Sequence, residues 1–153
     1  MSENRYWLMK SEPDAYSIDD LQRDKVEPWD GIRNYEARNF MRDKMDIGDT
    51  VLFYHSNATP PGIVGLGTVC SEPYPDFTAW DPSSNYFDAK TDPENPRWMM
   101  VDVSFKEKFN RMISLDELKT NSDLDGLLVI KRGMRLSIQP VEQHHFDAIL
   151  SMI

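Results

Sequence analysis

Four short stretches of the chain collect polar and aromatic side chains where turns are expected. Lys10-Ser11-Glu12-Pro13 offers a cation, a hydroxyl and a carboxylate. Trp29-Asp30-Gly31 runs into Arg33-Asn34-Tyr35, which puts an aromatic face beside an amide that both donates and accepts hydrogen bonds. Tyr54-His55-Ser56 adds an imidazole that titrates near neutral pH, and Ser137-Ile138-Gln139-Pro140 adds a second amide. Lys10, Glu12 and His55 are the groups from which acid–base catalysis would be assembled. Each stretch also has a plain structural reading. Lys10 to Pro13 serves as a turn, Trp29 as a core plug, Asn34 as a helix N-cap, and His55 as a satisfied polar group in a sheet wall.

Known catalytic signatures are missing: the sequence holds no G-x-G-x-x-G, P-loop, G-x-S-x-G or H-E-x-x-H. The single cysteine, Cys70, excludes an intrachain disulfide and a multi-cysteine zinc site, which fits a reducing compartment. Because Cys70 follows an apolar run, it reads as a core residue rather than a nucleophile. His144 and His145 are adjacent, so on a helix they are expected on different faces, as solvated side chains and a poor metal pair. No metal or cofactor is expected.

A chain of 153 residues with 40% hydrophobic and 28% charged residues is long enough for one cored domain, expected to span 1–153. Its net charge of −9 argues against a protein that clamps many phosphates, since that affinity comes from Lys and Arg. A nucleic-acid partner would have to be met through a small basic patch and specific contacts to a base; a small-molecule ligand fits the charge equally well. Met1 to Arg5 carry no apolar leader segment and no apolar run approaches a membrane span. The expectation is a soluble, cytoplasmic monomer with no membrane partner.

The elements that must position these residues follow from pattern. Residues 5–10 read as a strand. Ser17 N-caps a short helix over Ile18–Asp24, with Asp19 and Asp20 at its positive end, stopped near Pro28. Ala37, Phe40, Met41 and Met45 have helical spacing. Strands are expected at 50–56, 63–69 and 97–109, with Gly65 and Gly67 permitting a bulge or a close backbone approach. Residues 71–96, with five prolines and five aromatics, read as a long ordered loop packed on the body. Ser114 to Glu117 form a capping box. "GLLVI" (126–130) and "MRLSIQPV" (134–141) are further strand candidates, and residues 142–153 close the chain as a helix with Phe146, Ile149 and Leu150 as its apolar stripe. Strands broken by short helices without βαβ alternation predict an α+β fold in which a small sheet closes into a partial barrel.

The segments "WLMKSEP", "WDGIRNYEARN", "FYHSN", "PGIVGLGTV", "YPD", "WMMVDVSF" and "RLSIQPV", in that order, resemble the EVE domain. The resemblance runs from about Tyr6 to the C-terminus. It implies a PUA-like fold related to YTH and ASCH domains, a small β-barrel of about five to six strands with peripheral helices, and a pocket rather than an extended binding face. It further implies a non-catalytic module that recognises a modified nucleobase, notably modified cytosine, in DNA or RNA. Reading such a base requires stacking and contacts to its edge. On this reading Trp29 is the stacking platform, Gly31 lets the backbone approach, and Asn34 reads the base edge. Lys10, Ser11, Tyr54, His55 and Ser56 close the walls, Gln139 supplies a second amide, and Arg33 and Arg38 meet flanking phosphate. Lys131, Arg132 and Arg135, in a stretch without acidic residues, form a candidate phosphate patch. The rival readings are an enzyme acting on a nucleobase or nucleotide through Lys10, Glu12 or His55, and a sensor of free nucleosides.

Overall fold

A computed structural model describes residues 4–153; Met1 to Glu3, on which the leader expectation partly rests, lie outside it. The chain runs β1 (Tyr6–Ser11), α1 (Ile18–Asp24), β2 (Val26–Pro28), α2 (Tyr35–Asn39), β3 (Thr50–His55), β4 (Gly62–Val69), β5 (Tyr74–Pro75), β6 (Met99–Met100), β7 (Asp102–Ser114), α3 (Leu115–Thr120), β8 (Ile138–Val141) and α4 (Gln143–Leu150). Among the described residues, six strands form one curled half-barrel sheet in the order β2-β7-β4-β3-β1-β8. β5 and β6 pair separately. β1 runs parallel to β3, and the other pairs in the large sheet are antiparallel.

The central strands are buried on both faces, which is why they read as continuous apolar runs. Alternation divides their side chains between two cores. Trp7, Met9, Val51 and Phe53 point into the curl, where they meet Ile18 and Leu21 of α1 and Ala37 of α2. Leu8, Leu52 and Ile63 point outward and are covered by Leu118 of α3 and by Phe146 and Ile149 of α4. Curvature comes from glycine. The β4–β7 register shifts between Ile63 and Gly65 and again between Leu66 and Gly67, as bulges that bend and twist a sheet do. A Cβ on Gly65 would lie 2.4 Å from the Glu107 carbonyl oxygen, so only glycine lets β7 approach there.

Local chemistry sets the helix ends. Ser17 and Asp20 form a reciprocal capping box on α1, and Ser114 and Glu117 do the same on α3. Past α2 the helix widens into a π turn over Phe40–Lys44, which carries the apolar stripe on to Met41. A buried carboxylate fastens the start of β1: Asp49 accepts from the Trp7 indole and from the Arg5 and Asp46 amides, each at 2.9 Å.

Several expectations are corrected. Residues 126–130 are not a strand. Leu128–Ile130 form a 3₁₀ turn that buries Leu127 and Val129 against the outer core, because β8 already occupies the sheet edge beside β1. Of 134–141, only Ile138–Val141 pair. The chain before Trp29 is an edge strand, β2, rather than a plain helix stop, with Pro28 at its end where a missing N–H is tolerated. Cys70 is exposed, because β4 ends at Val69 and the following residue leaves the core-facing alternation. Among the described residues no helix is long and apolar enough to cross a membrane.

Gly65→Ala should lower unfolding stability by about 1–3 kcal/mol through the forced β4–β7 separation. Urea titration followed by tryptophan fluorescence measures it, and a midpoint unchanged from wild type would contradict the close approach.

Candidate functional site

The curl of the sheet brings β1 and β2, which three strands separate in the sheet order, to opposite sides of one cavity of about 570 Å³. That volume lies within the range of about 300–1,000 Å³ usual for small-ligand sites. One wall is the C-terminal end of β1, with Lys10 and Ser11, and Ser56 just past β3. The Ser56 amide donates to the Ser11 carbonyl at 3.0 Å, and the Lys10 amide donates to the Ser137 carbonyl at 2.9 Å. Glu27, Trp29, Asp30 and Gly31 make the opposite wall. The Trp29 amide donates to the Val101 carbonyl at 2.8 Å, which extends the edge ladder past Pro28. Trp29 is 7% exposed and meets Phe53 edge-on at 5.6 Å, so most of its ring is core and only a margin faces the cavity.

Tyr86, from the long 71–98 segment, closes the mouth. Gly31 makes room for it: its φ is +78°, and a Cβ there would lie 2.7 Å from the Tyr86 ring. The segment is ordered by hydrogen bonds, as expected. Asp76, fully buried, accepts from the Gly31 amide at 2.8 Å, from the Arg33 guanidinium at 3.0 Å and from the Thr78 amide at 3.0 Å. Its own amide donates to the Trp98 carbonyl, and the Trp98 indole donates to Asp88 at 2.7 Å. Arg33 also donates to the Tyr86 carbonyl at 3.0 and 2.6 Å. One buried carboxylate thus ties the turn after β2 to the segment that covers it.

The structure divides the expected site residues. Lys10, Ser11, Trp29, Gly31 and Ser56 share the cavity, as does Glu12 of the enzyme reading. The others lie outside its lining, and most have structural partners. The Asn34 side chain accepts from the Ala37 amide at 3.0 Å as the N-cap of α2. Arg33 is spent on Asp76 and Tyr86. Tyr54 is buried in the outer core, with the Lys10 ammonium 5.9 Å from its ring centre. His55 Nε2 accepts from the Ile18 amide at 3.1 Å, which caps α1; burial lowers its pKa, favouring the neutral ring that such a bond needs. Gln139 is buried and donates to the Leu136 carbonyl at 2.7 Å. Arg38 donates to the Arg97 carbonyl at 2.9 Å and lies 4.7 Å from the Tyr35 ring centre. Lys131, Arg132 and Arg135 are exposed, on the turn that receives the Lys10 ammonium at the Met134 carbonyl, 3.3 Å away.

Sequence reasoning missed Tyr16, Glu27, Asp30 and Tyr86 as lining groups. The one available signal was the number of aromatics in the long loop. Burial raises the Glu27 carboxyl above its usual range and lowers the Lys10 ammonium. At the mouth, Asp30 is raised first by loss of solvent and then by the Asp76 charge. Tyr16 is raised by burial and by its bond to Asp24, so it stays a neutral hydroxyl.

The histidine expectation is also corrected. His145 is buried and shares a hydrogen bond of 2.9 Å with the Asp125 carbonyl. The His144 and His145 rings lie 4.0 Å apart instead of on separate faces. With Glu142 they bring possible ligand atoms within 4.8 Å of one another, outside the cavity lining.

An α+β, PUA-like half-barrel with a polar and aromatic cavity at the mouth of its sheet is the class this fold defines. The chain belongs to the EVE-domain family, whose family model matches residues 5–152. It is 43% identical over 168 residues to thymocyte nuclear protein 1 of Rattus norvegicus, an alignment covering 97% of this chain and 74% of that protein. A solved protein of Pseudomonas syringae is 48% identical with a TM-score of 0.93, covering 96% of this chain and 98% of the other. The crystal structure of human THYN1 protein in complex with 5-methylcytosine-containing DNA is 40% identical with a TM-score of 0.91, covering 97% of each chain.

Asp76→Ala should destabilise the fold by about 3 kcal/mol, the lower end of the cost of breaking a buried pair, because Arg33 keeps 24% of its side-chain surface in water. Limited proteolysis should then cut within 76–98 well before the remaining chain unfolds. Equal protection of that segment in variant and wild type would refute its role as the tether.

Proposed function

We propose that this protein is a non-catalytic module that holds a modified cytosine of DNA, drawn out of the duplex, in the cavity between the end of β1 and the turn after β2. The observation that carries this reading is the cavity itself, which joins an aromatic margin to donors and acceptors on facing walls, in a chain similar over nearly its full length to a protein solved with 5-methylcytosine-containing DNA. A base in a duplex hides its faces and its pairing edge, so close reading of it requires extrusion at a cost of a few kcal/mol. Stacking on an aromatic returns about 1–3 kcal/mol, here from Tyr86 at the mouth, with the exposed margin of Trp29 packed against the base. Hydrogen bonds from the walls supply the rest.

Charge supports a local mode of contact. A chain with net charge −9 gains little from a long phosphate track. The exposed Lys131, Arg132 and Arg135 sit on the turn anchored to Lys10 through the Met134 and Ser137 carbonyls, and Ser137 lines the cavity. These basic residues are the phosphate contacts of this reading. As for acid–base chemistry at this site, His55, one of its candidates, is committed to capping α1.

A 5-methyl group differs from hydrogen by roughly one buried CH₂, about 0.8 kcal/mol, so the methyl alone provides only about fourfold preference. Fluorescence anisotropy on duplexes that differ in one cytosine should give tighter binding to the 5-methylated strand by about that factor or more. The slope of log K against log salt should be no steeper than about −3, as for three phosphates. Tyr86→Leu, confirmed folded by circular dichroism, should weaken binding about tenfold or more. Equal weak binding to modified and unmodified duplexes, or a steep salt slope, would count decisively against the proposal; tighter binding to the matching RNA would move it to RNA.

A further inference from the structure

Lys10 and Glu27 face the same cavity from strands that never pair, β1 and β2. Both are half-buried. The Lys10 ammonium donates to the Met134 carbonyl at 3.3 Å, a long hydrogen bond. Among the described residues neither side chain takes part in an ion pair, and for Glu27 a hydrogen bond with the Tyr16 hydroxyl offsets only part of its burial. Burial is the leading influence on each and pushes each toward its neutral form. Two opposite charges, each stripped of part of its water, therefore stand on opposite walls of one space too far apart to neutralise each other. Keeping a charge in such a place is costly unless something pairs with it.

Glu27 is also in register with the aromatic margin. The Trp29 amide continues the β2 ladder to Val101, and residues two apart in an extended chain project to the same side. Glu27 and Trp29 therefore present a carboxylate and a ring edge from one side of the strand. The other carboxylates at the cavity are placed differently. Glu12 is exposed and accepts from Asn57. Asp30 is exposed at the mouth, beside Asp76 and Arg33.

The chemistry of pyrimidines gives this pair a use. 5-Methylcytosine and thymine share the 5-methyl group, the ring face and the O2 acceptor. They differ at position 4, where cytosine carries an amino donor and thymine a carbonyl acceptor. Stacking and a methyl contact cannot tell them apart. A carboxylate can, because it accepts from the amino group and sets lone pair against lone pair at the thymine carbonyl. We propose that Glu27 is the specificity-determining residue of this cavity, accepting from the 4-amino group of the extruded base, while Lys10 donates to O2 and fixes the base's orientation. This rests on the modified-base reading and adds the rejection of thymine to it.

The two residues then have different signatures. Single-stranded oligonucleotides carrying 5-methylcytosine, cytosine or thymine at one position remove the cost of unpairing. Wild-type protein should prefer 5-methylcytosine to thymine by about fivefold to a hundredfold, the range of one good edge contact. Glu27→Gln, whose amide can donate as well as accept, should bring that ratio close to one by gaining thymine. Lys10→Met should weaken both strands by a common factor and leave the ratio intact, since both bases carry O2. Both sites are partly exposed and near strand ends, and circular dichroism checks folding; Glu27→Ala, read in the same way, covers the case in which the amide variant does not fold. A wild-type preference that survives intact in the Glu27 variants overturns the assignment and leaves the modified-base reading standing. A wild type that fails to separate 5-methylcytosine from both cytosine and thymine overturns the two together.

Discussion

A carboxylate withdrawn from solvent must be hydrogen-bonded on its oxygens or its burial costs more than the fold can offset. Asp76 meets that demand with donors from two places distant in sequence: Gly31 and Arg33 in the turn after β2, and Thr78 in its own segment. The cavity depends on this constraint. If Asp76 released the turn, the positive-φ backbone at Gly31 would lose its partner, and Arg33 would no longer hold the Tyr86 carbonyl. The wall carrying Trp29 and the segment carrying Tyr86 are positioned by one side chain that faces neither the cavity nor solvent.

Around that pin the half-barrel divides its labour. β1 and β3, parallel and buried on both faces, form a stiff wall whose C-terminal ends present Lys10, Ser11 and Ser56. β2, a three-residue edge strand on the far side of the curl, presents Glu27, with Trp29 just past its end. The glycines of β4 let β7 come close enough for the sheet to curl, and the curl alone brings the two walls together. The site is therefore a property of sheet curvature as much as of its lining residues. Its rigid wall and its tethered wall have different mechanical origins.

Much of the fold was legible in the chain because the relevant forces are local. Ser17 with Asp20 and Ser114 with Glu117 announce helix starts through hydrogen bonds that span three residues. Gly65 and Gly67 announce bulges, and the run at 50–56 announces a strand. The errors fell where tertiary contacts decide. "GLLVI" has strand composition, but the edge it needed is occupied by β8. Cys70 and His145 were judged from their neighbours in sequence, whereas their exposure depends on where β4 ends and on the Asp125 carbonyl.

The same division runs through the site. By itself the sequence determined that polar and aromatic groups gather at the ends of β1 and β3 and in the turn after Trp29, and that the chain is too acidic to follow a long phosphate track. Those facts are matters of composition, spacing and local turn chemistry. Tertiary structure alone decided which of the groups face one another. Asn34, Arg33, His55 and Gln139 carry suitable chemistry, yet their hydrogen-bonding capacity is committed to a helix cap, the Asp76 tether, the start of α1 and the turn before β8. Glu27, unremarkable in sequence, was moved to the cavity by a curl that no residue near it encodes. The physical reason is that a side chain's hydrogen-bond partners are chosen across the sheet, by atoms that only folding brings within three ångströms or so.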